Sequence, residues 1–296
     1  MYRMSEAPPP TENLSIFNAV DFPGISKGKA NFPNLQGVLT ASSGIIWGDG
    51  SYQNSFKGFK LLSTTVYTAN DVFTKPADVT AIRVRCVGGG GGGASTSFNN
   101  QVGASGAGSG GAGGSYAESF ITNVPDTAPI VVGQGGSGGG NTNATGGAGT
   151  HSEFGTAGDA FHVKASGGNG GNRLTIAAGN SQRVESAIGA FAPNTATDIV
   201  GDIRVAGGAS ENTLSFGSNI STRYVACSSK GGDSVFGVGG IGGRVVTNQV
   251  NAVSPGSDGR QYGGGGGGGA TSAQTSPQVT VGGNGANGVV IIELFN

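Results

Sequence analysis

Two histidines, two cysteines and 17 scattered carboxylates are all that this 296-residue chain offers for bond-making chemistry. His151 and His162 have neither an HExxH partner nor a cysteine pair at zinc spacing, so no metal site is expected. Asp198 and Asp202 are the closest like pair in a loop, too little for hydrolysis by paired carboxylates. Gly108, Gly110 and Gly113 spell GxGxxG, but no acidic residue follows at the distance a dinucleotide fold needs. At this glycine density such matches arise by chance. The stretch GISKGK, residues 24–29, is one residue short of a phosphate loop and lacks Ser or Thr after Lys29. Cys86 falls in an alternating segment and reads as a buried free thiol, and two cysteines cannot make a disulfide framework. The expectation is a chain with no catalytic residue, no metal and no cofactor.

Recognition is better provided for. Phe98, Asn99, Asn100, Arg173, Phe191, Arg223, Tyr224, Arg260 and Tyr262 sit in insertions otherwise made of small polar residues. Tyr, Phe and Arg among Ser, Asn and Gly is the composition of adaptable binding loops. Loops held out by a scaffold are a common binding surface, and local packing is the competing reading for each residue.

The elements that would hold these residues are strands. Asp49-Gly50 between apolar flanks signals a hairpin near residues 45–53. Thr64–Tyr67, Ala81–Val87, Tyr116–Thr122, Ile130–Val132 and Phe161–Ala165 read as short strands, and Val289–Leu294, apolar on both faces, as a central one. Ala81–Val87 and Val289–Leu294 open and close the domain and are expected to be neighbours. One short helix is expected at 181–191, where Val184, Ile188 and Phe191 share a face. Ser-x-Phe-Gly echoes end at Gly155 and Gly237, with Ser-Phe-Gly at Gly217, each Phe reading as a plug beside a glycine turn.

Between the strands the chain is glycine. Gly makes up 61 of 296 residues, against a usual share of about 7%. Six run from Gly88 to Gly93 and seven from Gly263 to Gly269. Collagen is excluded because Ser109 breaks the triplet begun at Gly103 and Gly106. A calcium β-roll lacks its Asp, and flexible linkers would need separate globular pieces to join. What is left is ordered backbone in close approach, with polyglycine II helices as an open alternative to sheet loops. A net charge of -1 gives no footprint for nucleic acid. No apolar run reaches the roughly 20 residues of a membrane span. The N-terminus lacks a secretory layout, so folding in a cytoplasm is expected.

The order IIWGDGSYQNS, VTAIRVRCVGGGGGG, GGSYAESFITNVPDTAPIVVGQGGSGG, SEFGTAGDAFHVKASGGNGG, GGDSVFGVGGIGG, YGGGGGGGA and GGNGANGVVIIELFN resembles the glycine-rich C-terminal domain of bacteriophage and prophage tail fibres. The resemblance covers roughly residues 45 to 296. It implies a virion tail-fibre or tail-tip protein, assembled in the host cytoplasm and usually a homotrimer. Such a protein binds a host surface protein or polysaccharide and performs no catalysis. Residues 1–44 fall outside it and by position would attach the tip to the baseplate or a preceding fibre protein. The expected fold is a mainly β, sandwich-like tip at 61–296, after an extended attachment segment at 1–60. The alternative is a structural fibre segment that never touches the host.

Overall fold

Alternation of apolar and polar residues builds the strands, and glycine builds everything between them. A computed structural model of the chain describes residues 45–46, 52–53, 59–98, 104–140, 144–176, 183–187, 198–217, 224–247, 252–273 and 278–296. Two units divide the chain, Met1–Gly58 and Phe59–Asn296. In the first, Ile45–Ile46 pairs antiparallel with Tyr52–Gln53, as the hairpin signal requires.

The second unit is mainly β, and its described residues contain no helix. Ala81–Val87 and Val289–Phe295 are antiparallel neighbours, Val87 facing Val289 and Ala81 facing Phe295. They form the centre of a five-stranded sheet completed by Ile203–Val205, Tyr116–Ile121 and Leu61–Tyr67. A four-stranded sheet of Val163–Ala165, Ser152–Phe154, Thr127–Val131 and Asp71–Thr74 supplies the second layer. Period-two alternation puts Ile82, Val84 and Cys86 on the inner face, where all three are fully buried, and leaves Arg83 and Arg85 on the outer one. Phe154 plugs this core with its ring 5.5 Å from Phe73 and 6.0 Å from Phe161, and Gly155 turns the chain behind it at φ +74°. Phe236 is only partly buried against a second cluster, edge-on to Tyr116 at 5.7 Å, and its Gly237 sits within a strand and not at a turn. The Phe216 side chain lies outside the described residues.

From Gly88 onward, successive N–H groups turn to three different neighbours. Gly88, Gly91 and Ala94 donate to the carbonyls of Ser115, Ala112 and Ser109. Gly89, Gly92 and Ser95 donate to Thr150, Gly147 and Ala144, while Gly90 and Gly93 donate to Ala286 and Gly283. A bond direction that recurs every third residue belongs to an extended helix of three residues per turn, the polyglycine II form. The carbonyls answer in the same rhythm. Gly89 and Gly92 accept from Gly168 and Gly171, Gly90 and Gly93 from Gly136 and Gly139, and Gly91 and Ala94 from Gly266 and Gly269.

Six segments therefore ring the central one: 109–115, 166–172, 144–151, 133–140, 281–288 and 263–269. Each is also bonded to the next around the ring, for example Ala112 N to Asn169 O at 2.9 Å and Gly282 N to Gly139 O at 3.1 Å. Segment 263–269 is itself the centre of a second ring, closed by 228–234, 239–243 and 256–259. The two longest glycine runs are thus each ringed by six bonded segments.

Enclosure dictates the residue. A Cβ on Gly88 through Gly93 would fall in turn on the carbonyl oxygens of Ser166, Gln134, Gly264, Asn169, Ser137 and Gly267. Positive φ is confined, among the described glycines, to Gly155, Gly158, Gly201 and Gly263. Apart from Gly263, which turns the chain into its run at φ +80°, the core glycines thus serve by lacking a side chain, not by reaching the left-handed region. Of the outer segments, 133–140 and 281–288 have an open side and expose one residue in three, such as Gln134 and Ser137, or Val281, Asn284 and Asn287, whereas 109–115 is buried throughout.

The chain beyond this core forms two further sheets. One joins Arg173–Ile176, Ala104–Gly108, Ala270–Ala273 and Val253–Ser254; the other joins Arg183–Ala187, Thr213–Gly217, Tyr224–Cys227 and Arg244–Thr247. Their interior is small, with Ala107, Ala226, Val245 and Ala270 buried and the Ser105 and Ser215 hydroxyls 2.8 Å apart. The helix expected at 181–191 is not what forms over 183–187. That stretch is a strand, Val184 facing Phe216 across the ladder, and the rest of 181–191 lies outside the described residues apart from this strand. A vacant sheet edge at Thr213–Gly217 overrides the helical spacing, because ladder bonds are available there and an isolated short helix is marginal.

Candidate functional site

The glycine core has two ends, and the chain sorts its residues between them. Residues 88–95 span ~25 Å at ~3.1 Å per residue. The Gly88 end carries the apolar two-sheet region, since Ser115, Gly288 and Ser166 there continue into its strands or follow them. The Ser95 end carries the two Ala- and Ser-cored sheets.

Three residues singled out for recognition come together at the Ser95 end. Phe98 lies on Thr96–Phe98, its backbone facing Gln278. Arg173 is exposed at the start of its strand, facing Gly108. Tyr224 faces Thr247 in the outermost ladder. Asn99, Asn100, Phe191 and Arg223 lie outside the described residues. The described residues that flank 99–103, 141–143, 177–182, 218–223, 248–251 and 274–277 all belong to this end. It is where the glycine segments leave the core to make their longest excursions.

Arg260 and Tyr262 are at the other end. They lie on the short strand Arg260–Tyr262, paired with Phe236–Val238, after segment 256–259 has carried the chain back along the core. Arg260 is exposed. Tyr262 is half-buried against Val87, Tyr116 and Val289, and its carbonyl accepts a hydrogen bond from the Ser234 hydroxyl. Local packing describes Tyr262 better than recognition does.

The most organised electrostatics involve residues that sequence reasoning passed over. On the outer face of the five-stranded sheet, Arg83 lies 3.5 Å from Glu118 and 3.3 Å from Glu293. Arg85 reaches the same two carboxylates, and the Tyr116 hydroxyl donates to Glu118. Burial, and then the bond to the Glu118 carboxylate, push the Tyr116 phenol well above its ordinary range. The signal in the sequence was the alternation that puts Arg83 and Arg85 on one face. Their partners come from strands far along the chain and have no local signature.

Near the second layer, His162 stands 3.3 Å and His151 3.6 Å from Glu153. Cys86 is buried, and burial, reinforced by the nearby Glu153 carboxylate, pushes its thiol far up. A thiol held protonated is a poor nucleophile. No three His, Cys, Asp or Glu side chains among the described residues are grouped to hold a metal ion.

No curated protein matches the chain. Residues 64–295, which hold most of the strands and glycine segments just described, match the glycine-rich domain family, and the chain belongs to that family.

Proposed function

We propose that the chain is the receptor-binding tip of a bacteriophage or prophage tail fibre, holding the virion to a host surface protein or polysaccharide. The observation that carries the reading is the division of labour along the core. A side-chain-free framework, bonded through its backbone in every direction, sends its longest excursions out at one end, together with Phe98, Arg173 and Tyr224. A framework of that kind fixes where loops emerge while leaving their sequence free. In this reading residues 1–44 join the tip to the baseplate or a preceding fibre protein, copies assemble as a homotrimer, and the protein acts without catalysis.

The test is competition. Purified full-length protein added to host cells should slow adsorption of the phage that carries this fibre in proportion to its concentration. Grafting the 172–200 and 209–230 stretches from a related fibre should move the block to that fibre's host. No competition at saturating protein would refute the adhesive role and leave a purely structural fibre segment, a reading the bonded core supports equally well.

A further inference from the structure

The outer face of the five-stranded sheet is unusual for a solvated one. Antiparallel sheets with one wet face normally put polar residues outward. Here Phe59, Phe120 and Phe295 cluster, with ring centroids 5.1 Å apart for the first two and 5.7 Å for the last two. Phe59 is 56% exposed, Phe120 39%, and the flanking Val66 and Ile203 50% and 52%. Between them lie the two arginines and two glutamates already described, partly withdrawn from water and paired with each other. The Arg83 guanidinium also sits 5.9 Å from the Phe295 ring centroid.

We infer that this face is where copies of the chain meet. Aromatic rings and arginine are the residues enriched in interface centres, whereas scattered single apolar residues are ordinary surface. The charge pattern selects the occupant. Two positive and two negative groups already neutralise one another, so a strongly charged partner would find no net field to match. A second copy brings the same neutral array and the same aromatic flank, so like faces can gather about one cyclic axis, as in a homotrimer, without net repulsion. Burying the four charges is tolerable because each is paired within its own copy before contact. The inference does not depend on adhesion to a host.

Sedimentation velocity on the full chain, from low micromolar concentration upward, tests it by giving the number of copies. The intact protein should run as an oligomer. Phe120→Asp and Ile203→Asp should each weaken association on the order of tenfold or more, as expected when an interface anchor is lost. Ile241→Asp, at a 67% exposed position on the glycine core, should leave it unchanged. Ile203 lies on an edge strand, so that variant reads the interface even if Phe120→Asp disturbs folding. A wild-type monomer at every concentration would overturn the inference, as would association that both variants leave intact. Neither result bears on adsorption, which is read separately on cells.

Discussion

The two-sheet region and the glycine core solve the same problem with opposite means. In the first, Phe154, Ile82, Ile130 and Ile292 exclude water by filling space, and the fit of their shapes specifies the fold. In the second there is no shape to fit. Order comes from N–H and C=O groups that point to three neighbours in turn and find a partner in each. A net ~0.5–1.5 kcal/mol per hydrogen bond is about the size of the extra ~0.5–1 kcal/mol that ordering a glycine costs. Backbone bonding alone therefore leaves the core marginal, and the sheets at both ends must clamp it. The comparison teaches that a side-chain core tolerates change of kind, whereas a backbone core tolerates change only where it has an open side.

That contrast can be broken or sharpened by mutation. The largest effect is expected from Gly91→Ala, whose Cβ would land on the Asn169 carbonyl oxygen in the middle of a full ring. It should cost about 3 kcal/mol or more, the upper end of overpacking, or abolish folding. Gly140→Ala, with nothing within 4 Å of its Cβ position, should stay within about 0.5 kcal/mol of wild type by denaturant melting. Equal effects at the two sites would sink the ring description.

Phe154→Ala should cost about 3–5 kcal/mol, because a fully buried aromatic leaves a cavity among side chains that cannot collapse. Phe154→Leu should recover much of that loss, which no substitution at Gly91 can do. A third pair tests the period. Ser137 points outward and Gly138 inward, where a Cβ would meet the Gly282 carbonyl oxygen. Ser137→Gly should change the melting midpoint little, while Gly138→Ser should lower stability by ~1–3 kcal/mol.

The smallest effect is electrostatic. At Asp233 burial pushes the carboxyl up, but hydrogen bonds from Lys230 and the Gly239 N–H outweigh it and hold it below the usual range. A depressed folded-state value means that stabilisation is present above the ordinary aspartate value of ~3.9 and is lost as pH falls below it. The side chain is 53% exposed, so the contribution should be under ~1 kcal/mol. Asp233→Asn should slightly flatten the acid limb of a stability–pH curve and leave neutral stability nearly unchanged.

Much of the fold was legible where side chains alternate. Ala81–Val87 and Val289–Phe295 announced themselves by composition, and their pairing followed from opening and closing the domain. The stretch 183–187 was misread because Val184 with Ile188 and Phe191 satisfies a helical spacing, and nothing local reveals the waiting edge of Thr213–Gly217. The core was readable in principle. Uninterrupted runs at Gly88–Gly93 and Gly263–Gly269 mark enclosed segments, and the broken GQGGSGG and GGNGANG mark open-sided ones. But SGGAGGS at 109–115 is broken and still buried throughout, so interruption alone does not reveal an open side. The division of Arg260 and Tyr262 from Phe98, Arg173 and Tyr224 was not readable. It depends on segment 256–259 running back along the core, and its sequence, Gly-Ser-Asp-Gly, resembles any polar insertion.

The core segments also differ in direction. Relative to Gly88–Ser95, segments 109–115, 144–151 and 281–288 run antiparallel, while 133–140, 166–172 and 263–269 run parallel. A β-sheet ties direction to connection length, short for antiparallel neighbours and long for parallel ones. A threefold backbone bonds parallel and antiparallel neighbours in the same rhythm, so a segment's place in the ring is not set by the length of the excursion before it. Three residues, 141–143, separate two of these segments, and more than thirty lie between 172 and 206. Insertion and deletion in the excursions are thereby uncoupled from the architecture, and the sole condition on a returning chain is that its glycines arrive in phase.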